Sequence, residues 1–304
     1  MDGILNIFKP EGITSYGVIR EVKRYSGEKK IGHIGTLDPF AQGVLPLFLG
    51  KMTKLIHLMN NDEKTYRVKA KLGYHSNTLD REGELIEVPV PDSINPDSLQ
   101  QTLLTFLGEI EQIPPMYSAV KVDGKRLYEY ARKGEEIERK SRKIRIFWIK
   151  NIEISLPYFG FDVHCSKGTY IRTLVSDMAV KMGSGAYLTD LTRTQCGRFF
   201  SLNDSIELDQ INNINKSDLQ KKFIDPQCLL PGWHIITANS FEMRKNICQG
   251  RLVPIGSDDI RFSQEGKDSL NAIVKDKDKR LIAIGSLEFS QDCQYRFHPS
   301  KVLI

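Results

Sequence analysis

Cysteine is scarce and follows no pairing pattern. The five cysteines, Cys165, Cys196, Cys228, Cys248 and Cys293, are odd in number and widely separated, with no Cys-x-x-Cys pair. That excludes a disulfide framework, a zinc ribbon and a redox couple, and they read as free thiols. The six histidines are equally scattered, with no His-Glu-x-x-His helix, and no phosphate-cradling Gly-x-x-x-x-Gly-Lys loop occurs. Neither a metal nor a nucleotide cofactor is expected. Missing too is any run of about 18 apolar residues, the length a membrane helix needs. The opening MDGILNIFKPEG places an acid second and a lysine and a proline too early for a signal peptide. A cytoplasmic protein with no membrane partner is expected, and no internal repeat is visible.

What is present is a globular composition, 40% hydrophobic and 27% charged over 304 residues, enough for one large domain and one small one. The texture changes after DPQCLLPGWHIIT, where proline and glycine punctuation gives way to short apolar pieces, GRLVPIG, LNAIVKD, RLIAIGSLEF and CQYRFHP, separated by turn residues. Such spacing suits a small β-barrel, which puts the division at 1–235 and 236–304. The net charge is only +5, but residues 121–145 hold ten Lys or Arg against five acids, an excess equal to that of the whole chain. This segment is either an ordinary solvated surface or the electrostatic footprint of a polyanion partner.

Ahead of residue 235, strands and helices interleave without a strict βαβ repeat. ITSYGVIREVKRYSG reads as a capped amphipathic helix, with Thr14 or Ser15 at its start, Val18, Ile19 and Val22 on one face, Gly27 past its end and Arg20, Lys23 and Arg24 outward. KTYRVKAKLG alternates Tyr66, Val68, Ala70 and Leu72 with polar residues, the period of a half-buried strand. SAVKVDGKRLYEYARKG gives a short strand, an Asp123-Gly124 turn and a helix ending at Gly134; KIRIFWIKNIEIS and GFDVHCS are strands; TYIRTLVSDMAVKMG is a helix. An α+β fold on a mixed, mostly antiparallel sheet is expected.

The stretch KIGHIGTLDPFAQGVLPLFLG sets one acid, Asp38, in an uncharged and glycine-punctuated run. Pro39 biases Asp38 toward extended backbone, and GVLPLFLG reads as a buried strand. An acid at the lip of an apolar wall is one reading; an Asx turn is the other.

GHIGTLDPFAQGVLP resembles the catalytic motif of the TruB family of tRNA pseudouridine synthases, with NIFKPEGITS, KTYRVKAKLG, QIPPMYSAVKVDGKRLYEYARKG and CSKGTYIRTL resembling further family motifs in order over residues 4 to 200. Gln42 departs from the alanine-threonine-glycine ending frequent in relatives, which touches only local loop contacts. The resemblance implies a pseudouridine synthase fold with a PUA-like C-terminal RNA-binding domain and no cofactor. It implies isomerisation of uridine to pseudouridine in the T-loop of tRNA, at the position numbered 55 in tRNA. Asp38 is then the nucleophile and Arg172 the cation that holds it ionised. Tyr66 is the base platform beside the departing C5 proton, Leu191 the apolar contact on the other face, Tyr170 part of the pocket, and His33 the filler of the space the flipped nucleotide leaves. Lys9 supports the loop or a phosphate, and Asp80 orders a loop. The basic segment 121–145 and the helix bearing Arg20 contact phosphates. A monomer without guide RNA is expected. Three alternatives stand beside this reading: a noncatalytic RNA-binding or tRNA-folding protein on the same fold, a guide-dependent enzyme, and an unrelated carboxylate hydrolase with a second acid near Asp38 in space.

Overall fold

The computed structural model describes residues 1–59, 63–212, 214–263, 270–289 and 295–304. Ten strands make the main sheet: β1 (Gly3–Lys9), β2 (Ile31–His33), β3 (Gln42–Leu49), β4 (Lys64–Leu72), β5 (Gly108–Gln112), β6 (Arg142–Ser155), β7 (Tyr158–Cys165), β8 (Ala186–Cys196), β9 (Phe200–Ser201) and β10 (Ile206–Glu207). Their order is β10-β1-β3-β8-β4-β7-β6-β5, with β2 on β3 and β9 on β8. Only the β1/β10 and β3/β8 neighbours run parallel. The mixed, mostly antiparallel α+β architecture expected from the interleaving is the one the chain adopts.

The two halves of this sheet explain two kinds of sequence pattern. The β1/β3 half is covered on both faces. Leu45, Leu47 and Leu49 pack with Leu5 and Ile7 on Val18, Ile19 and Val22 of helix α1 (Ser15–Ser26). Val44 and Phe48, pointing the other way, pack with Ile4 on Ile273, Leu281, Ile284 and Leu303 of the C-terminal unit. A strand buried on both faces has no polar side to alternate with, hence the continuous run GVLPLFL. The β4/β7/β6 half is covered on one face only. Val68, Ala70, Phe159, Phe161, Val163 and Ile146 pack on helices α2 (Pro96–Leu104) and α3 (Ile171–Lys181), while Arg67 and Lys69 face solvent. Period-two alternation is the result.

Helix α1 starts where its cap says it should: the Thr14 hydroxyl accepts from the Gly17 N–H at 2.9 Å. It ends at Gly27, whose φ of 71° is left-handed and whose N–H donates to the Lys23 carbonyl. The segment after Ser118 is less regular than its sequence suggests. Lys121–Val122 and Lys125–Arg126 form a two-rung hairpin about Asp123-Gly124, and the helix that follows is only Leu127–Ala131.

The C-terminal unit is a curled six-stranded sheet, a half-barrel among the described residues, in the order Val253–Ile255, Tyr295–Val302, Leu281–Phe289, Asn271–Lys275, His234–Thr237, Ile260–Arg261. His234–Thr237 straddles the 235/236 division. Helix Phe241–Cys248, capped by the Ser240 hydroxyl, lies between His234–Thr237 and Val253–Ile255 in chain order. Cys165, Cys196, Cys228 and Cys248 are free thiols, and Cys293 lies outside the described residues. Among the described residues no helix is long and apolar enough to cross a membrane.

Candidate active site

Asp38 sits in the loop between β2 and β3, and that loop is clamped on both sides of it. On one side, the Ser15 hydroxyl donates to the Leu37 carbonyl at 3.0 Å and accepts from the Leu37 N–H at 2.9 Å. On the other, the Pro39 carbonyl accepts from the Gly12 N–H at 2.9 Å and from the Lys9 ammonium at 3.1 Å. Lys9 is fully buried and also donates to the carbonyls of Pro10 and Ile13, so its three protons are all used. This is why KPEGITS belongs with TLDP: the first segment fixes the backbone that aims the second. Lys9 is a loop support rather than a group at the cavity. Burial lowers its pKa to about 8, with the Asp38 charge opposing and the Arg193 charge adding to the fall.

Arg172 projects from the first turn of α3. Its Nε lies 3.0 Å from Asp38 Oδ2, and its Nη1 lies 3.4 Å from Asp80 Oδ2. Nη1 also donates to the Thr78 carbonyl at 2.8 Å and Nη2 to the Tyr117 carbonyl at 2.7 Å. With only 4% of its side chain exposed, the guanidinium is held by four acceptors at fixed positions. Helix α3 is itself seated by Gln112 at the end of β5, whose side chain brackets the Tyr170 backbone, donating to its carbonyl and accepting from its N–H.

Asp80 is the second acid near Asp38, and the structure gives it a positioning place. Buried at 3% exposure, it accepts through Oδ1 from the Thr78 hydroxyl at 2.6 Å and the Glu82 N–H at 3.0 Å. The preceding Leu79 has a φ of 64°, a left-handed conformation that is costly for leucine. It lies between Thr78, whose carbonyl Arg172 holds, and Asp80.

The Asp38 carboxyl is about a third exposed at the cavity wall. Desolvation raises its pKa above the ordinary 3.8; Arg172 opposes that rise, Asp80 adds to it and Lys9 opposes it. Arg172 thus offsets the burial cost without cancelling it, leaving an anion more basic than a free carboxylate.

The cavity beside Asp38 has a volume of about 330 Å³ and is lined by Tyr66, Tyr170, Arg172 and Leu191 together with Ile34, Lys64, Ser118, Lys167 and Arg193. Five of the expected residues therefore meet at one cavity: Asp38, Tyr66, Arg172, Tyr170 and Leu191. His33 does not line it. It sits half-buried at the end of β2, its Nδ1 buried without a partner and its pKa lowered by burial and then by the Arg193 charge. Tyr66 is buried in β4 directly across from Arg193 in β8, and desolvation raises its phenol pKa well above 10.0. The polar lining from Lys64, Ser118 and Arg193 was not anticipated. Arg193 stands two residues after Leu191 on the same strand face, which is the signal that could have found it. The basic hairpin leaves the cavity rim directly after Ser118 and Ala119, with Lys121, Lys125 and Arg126 exposed. Among the described residues no cluster of His, Cys, Asp and Glu is arranged to hold a metal ion.

With this geometry established, three comparisons bear on it. Residues 23–171 match the model of the TruB family pseudouridylate synthase N-terminal domain. The chain is 41% identical over 287 residues to tRNA pseudouridine synthase B of Clostridium acetobutylicum, covering 94% of this chain and 96% of the relative. It is 48% identical over 215 residues to the protein of the same name from Clostridium tetani, covering 71% and 74%. Among solved structures, the fold is similar to a Cbf5-Nop10-Gar1 complex, with a TM-score of 0.67 at 23% identity over 99% of this chain and 85% of that one. It is also similar to an archaeal box H/ACA sRNP Nop10-Cbf5 complex, with a TM-score of 0.66 at 20% identity, covering 99% and 86%. At those identities the likeness is one of fold.

Proposed function

The chain belongs to the TruB family of pseudouridine synthases, and from that premise we infer that it isomerises uridine to pseudouridine in tRNA, at the T-loop uridine of position 55. The single observation that carries the reading is the Asp38 carboxylate, 3.0 Å from the buried Arg172 and opening on a cavity walled by Tyr66 and Leu191. The reaction breaks the bond between uracil N1 and ribose C1′, joins C1′ to C5, releases the C5 proton and leaves N1 to take up a proton from solvent. It transfers no electrons and consumes no donor, so side chains suffice for it. The cavity is of nucleotide size by the usual range of ligand sites.

Asp38 supplies the anionic oxygen beside the target nucleoside. Burial raises its basicity, and the Arg172 charge beside it favours the ionised form. Lifting a stacked uridine out of its loop costs roughly a few kcal/mol, and the Tyr66 ring and the Leu191 side chain repay part of that by contact with the two faces of the base. Lys121, Lys125, Arg126 and the outward Arg20, Lys23 and Arg24 serve as phosphate contacts, fixing the RNA without reading its bases. We assign residues 1–235 to catalysis and 236–304 to a PUA-like RNA-binding unit, in a cytoplasmic monomer that needs no guide RNA.

Asp38→Asn tests the assignment. The variant is expected to bind a T-arm transcript as the parent does and to release no tritium from 5-tritiated uracil. Equal release from parent and variant overturns it. A purely RNA-binding protein has no use for a carboxylate held this way in a cavity, and guide independence is read directly from activity on bare transcript.

A further inference from the structure

Arg193 is a buried cation in an unusual position. It is 0% exposed, yet it belongs to the wall of the cavity. Its Nε donates to the Val44 carbonyl at 2.7 Å and its Nη2 to the Gly35 carbonyl at 2.9 Å, while Nη1 is buried with no partner. No ion pair among the described residues includes it. A guanidinium taken out of water with a proton donor unspent is costly, and a polar group left so in a folded chain calls for an acceptor that arrives later or moves.

Room for that donor is kept on purpose. Gly35, at a φ of 67°, leaves Nη1 free: a Cβ built there would stand 3.0 Å from it. Tyr66 is the cross-strand partner of Arg193 in the β4/β8 ladder, so that the two side chains are neighbours on one face. Arg193 already works against the rise that burial imposes on the Tyr66 phenol, first by its charge and then by its hydrogen-bonding approach to the hydroxyl, an approach that falls short of a full bond at Nη1.

We propose that Arg193 is a positioning residue for Tyr66: its unspent Nη1–H bonds the Tyr66 hydroxyl oxygen once a nucleotide fills the cavity, holding that oxygen toward C5 and giving negative charge there a cation to face. The inference rests on the pseudouridine synthase reading above. The two remaining guanidinium bonds, to Val44 and Gly35, anchor the donor to the loop that carries Asp38, so the proton-accepting side and the carboxylate side of the site share one frame.

The test is a double-mutant cycle of Arg193 with Tyr66, read by single-turnover tritium release from a T-arm transcript and by RNA affinity. Arg193→Lys keeps the charge but loses the planar fork, so a single ammonium cannot hold the Val44 and Gly35 carbonyls and reach the Tyr66 hydroxyl in the same geometry; it is expected to slow release about tenfold, and Arg193→Met about a hundredfold, with RNA affinity unchanged. In a Tyr66→Phe background both substitutions are expected to change the rate by less than about twofold, because the oxygen they act through is gone. Effects that multiply undiminished in that background overturn the proposal and make Arg193 a structural residue only. If Arg193→Met does not fold, Arg193→Lys decides by the same criterion. Failure of the functional reading is separate, since it appears as no release from the parent.

Discussion

The Asp38 loop and the basic hairpin beyond Ser118 carry comparable charge and treat it in opposite ways. Around Asp38, the charged groups Lys9, Asp80, Arg172 and Arg193 are nine-tenths or more buried; the cations bond fixed backbone carbonyls, and Asp80 accepts from the Thr78 hydroxyl and the Glu82 N–H and pairs with Arg172. In the hairpin, Lys121, Lys125 and Arg126 project into solvent from strands two residues long. A buried charge is worth its cost only where its geometry is determined, which serves chemistry; an exposed charge is individually replaceable, which suits a phosphate backbone. On the proposed function, the contrast is one of specificity against affinity.

Removing a buried charge should give the largest effect. Arg172→Met removes the cation that pairs with both Asp38 and Asp80, with an expected stability loss of roughly 3–5 kcal/mol by urea unfolding. Tritium release should fall by roughly 10²–10³-fold, since the oriented charge is gone. The Asp38 pKa should climb further, so any residual activity should lose its acid limb at a higher pH than the parent. A pH profile superimposable on the parent's would break the comparison.

Lys9→Met comes next, at about 1–3 kcal/mol, for three carbonyls stripped of their donor. Its pH signature has a definite sign. Folded Lys9 gives up its proton near 8 whereas an unfolded lysine holds it to 10.5. Between those values the unfolded state binds more protons, so Lys9 contributes an unfolding free energy that rises with pH across the window. The difference between parent and Lys9→Met should carry that slope, and a pH-independent difference would argue that Lys9 is not the titrating group.

Ser15→Ala removes both bonds to Leu37 and should cost about 1–2 kcal/mol, with a fall in turnover and little change in RNA affinity. A change in affinity alone would place Ser15 with the hairpin instead. The smallest stability effect is expected from Lys125→Glu with Arg126→Glu, within about 0.5 kcal/mol of the parent. Binding should weaken, and the slope of log affinity against log salt should fall by about 0.7–0.9 for each phosphate no longer neutralised. An unchanged slope would mean the hairpin charges meet no phosphate.

Local pattern made part of this legible in the chain itself. Thr14 and Gly27 bound α1 as caps do, Tyr66 falls on the alternation of β4, and the Asp38-Pro39 step lies in a loop before a buried strand. What the sequence could not display are the long-range pairings that turn those pieces into a site. Ser15 meets Leu37 across 22 residues, Gln112 meets Tyr170 across 58 and Arg172 meets Thr78 across 94. Nothing local encodes such pairings; they follow from strand order. Asp80 was legible as a loop-ordering acid, but its bond to the same guanidinium as Asp38 was not. In the hairpin region, the expected helix to Gly134 stops at Ala131, because its run of charges offers one buried residue, Leu127, to anchor it.

Strand order has a temporal consequence as well. β8 lies between β3 and β4, pairing with both, although it is made more than a hundred residues after either. On a ribosome the two flanking strands emerge early and wait with naked edges, each a template for the wrong neighbour, until the last central strand arrives. Chains cut short before residue 186 should therefore be sticky as well as inactive, and a nascent chain of this kind has reason to be met by a chaperone.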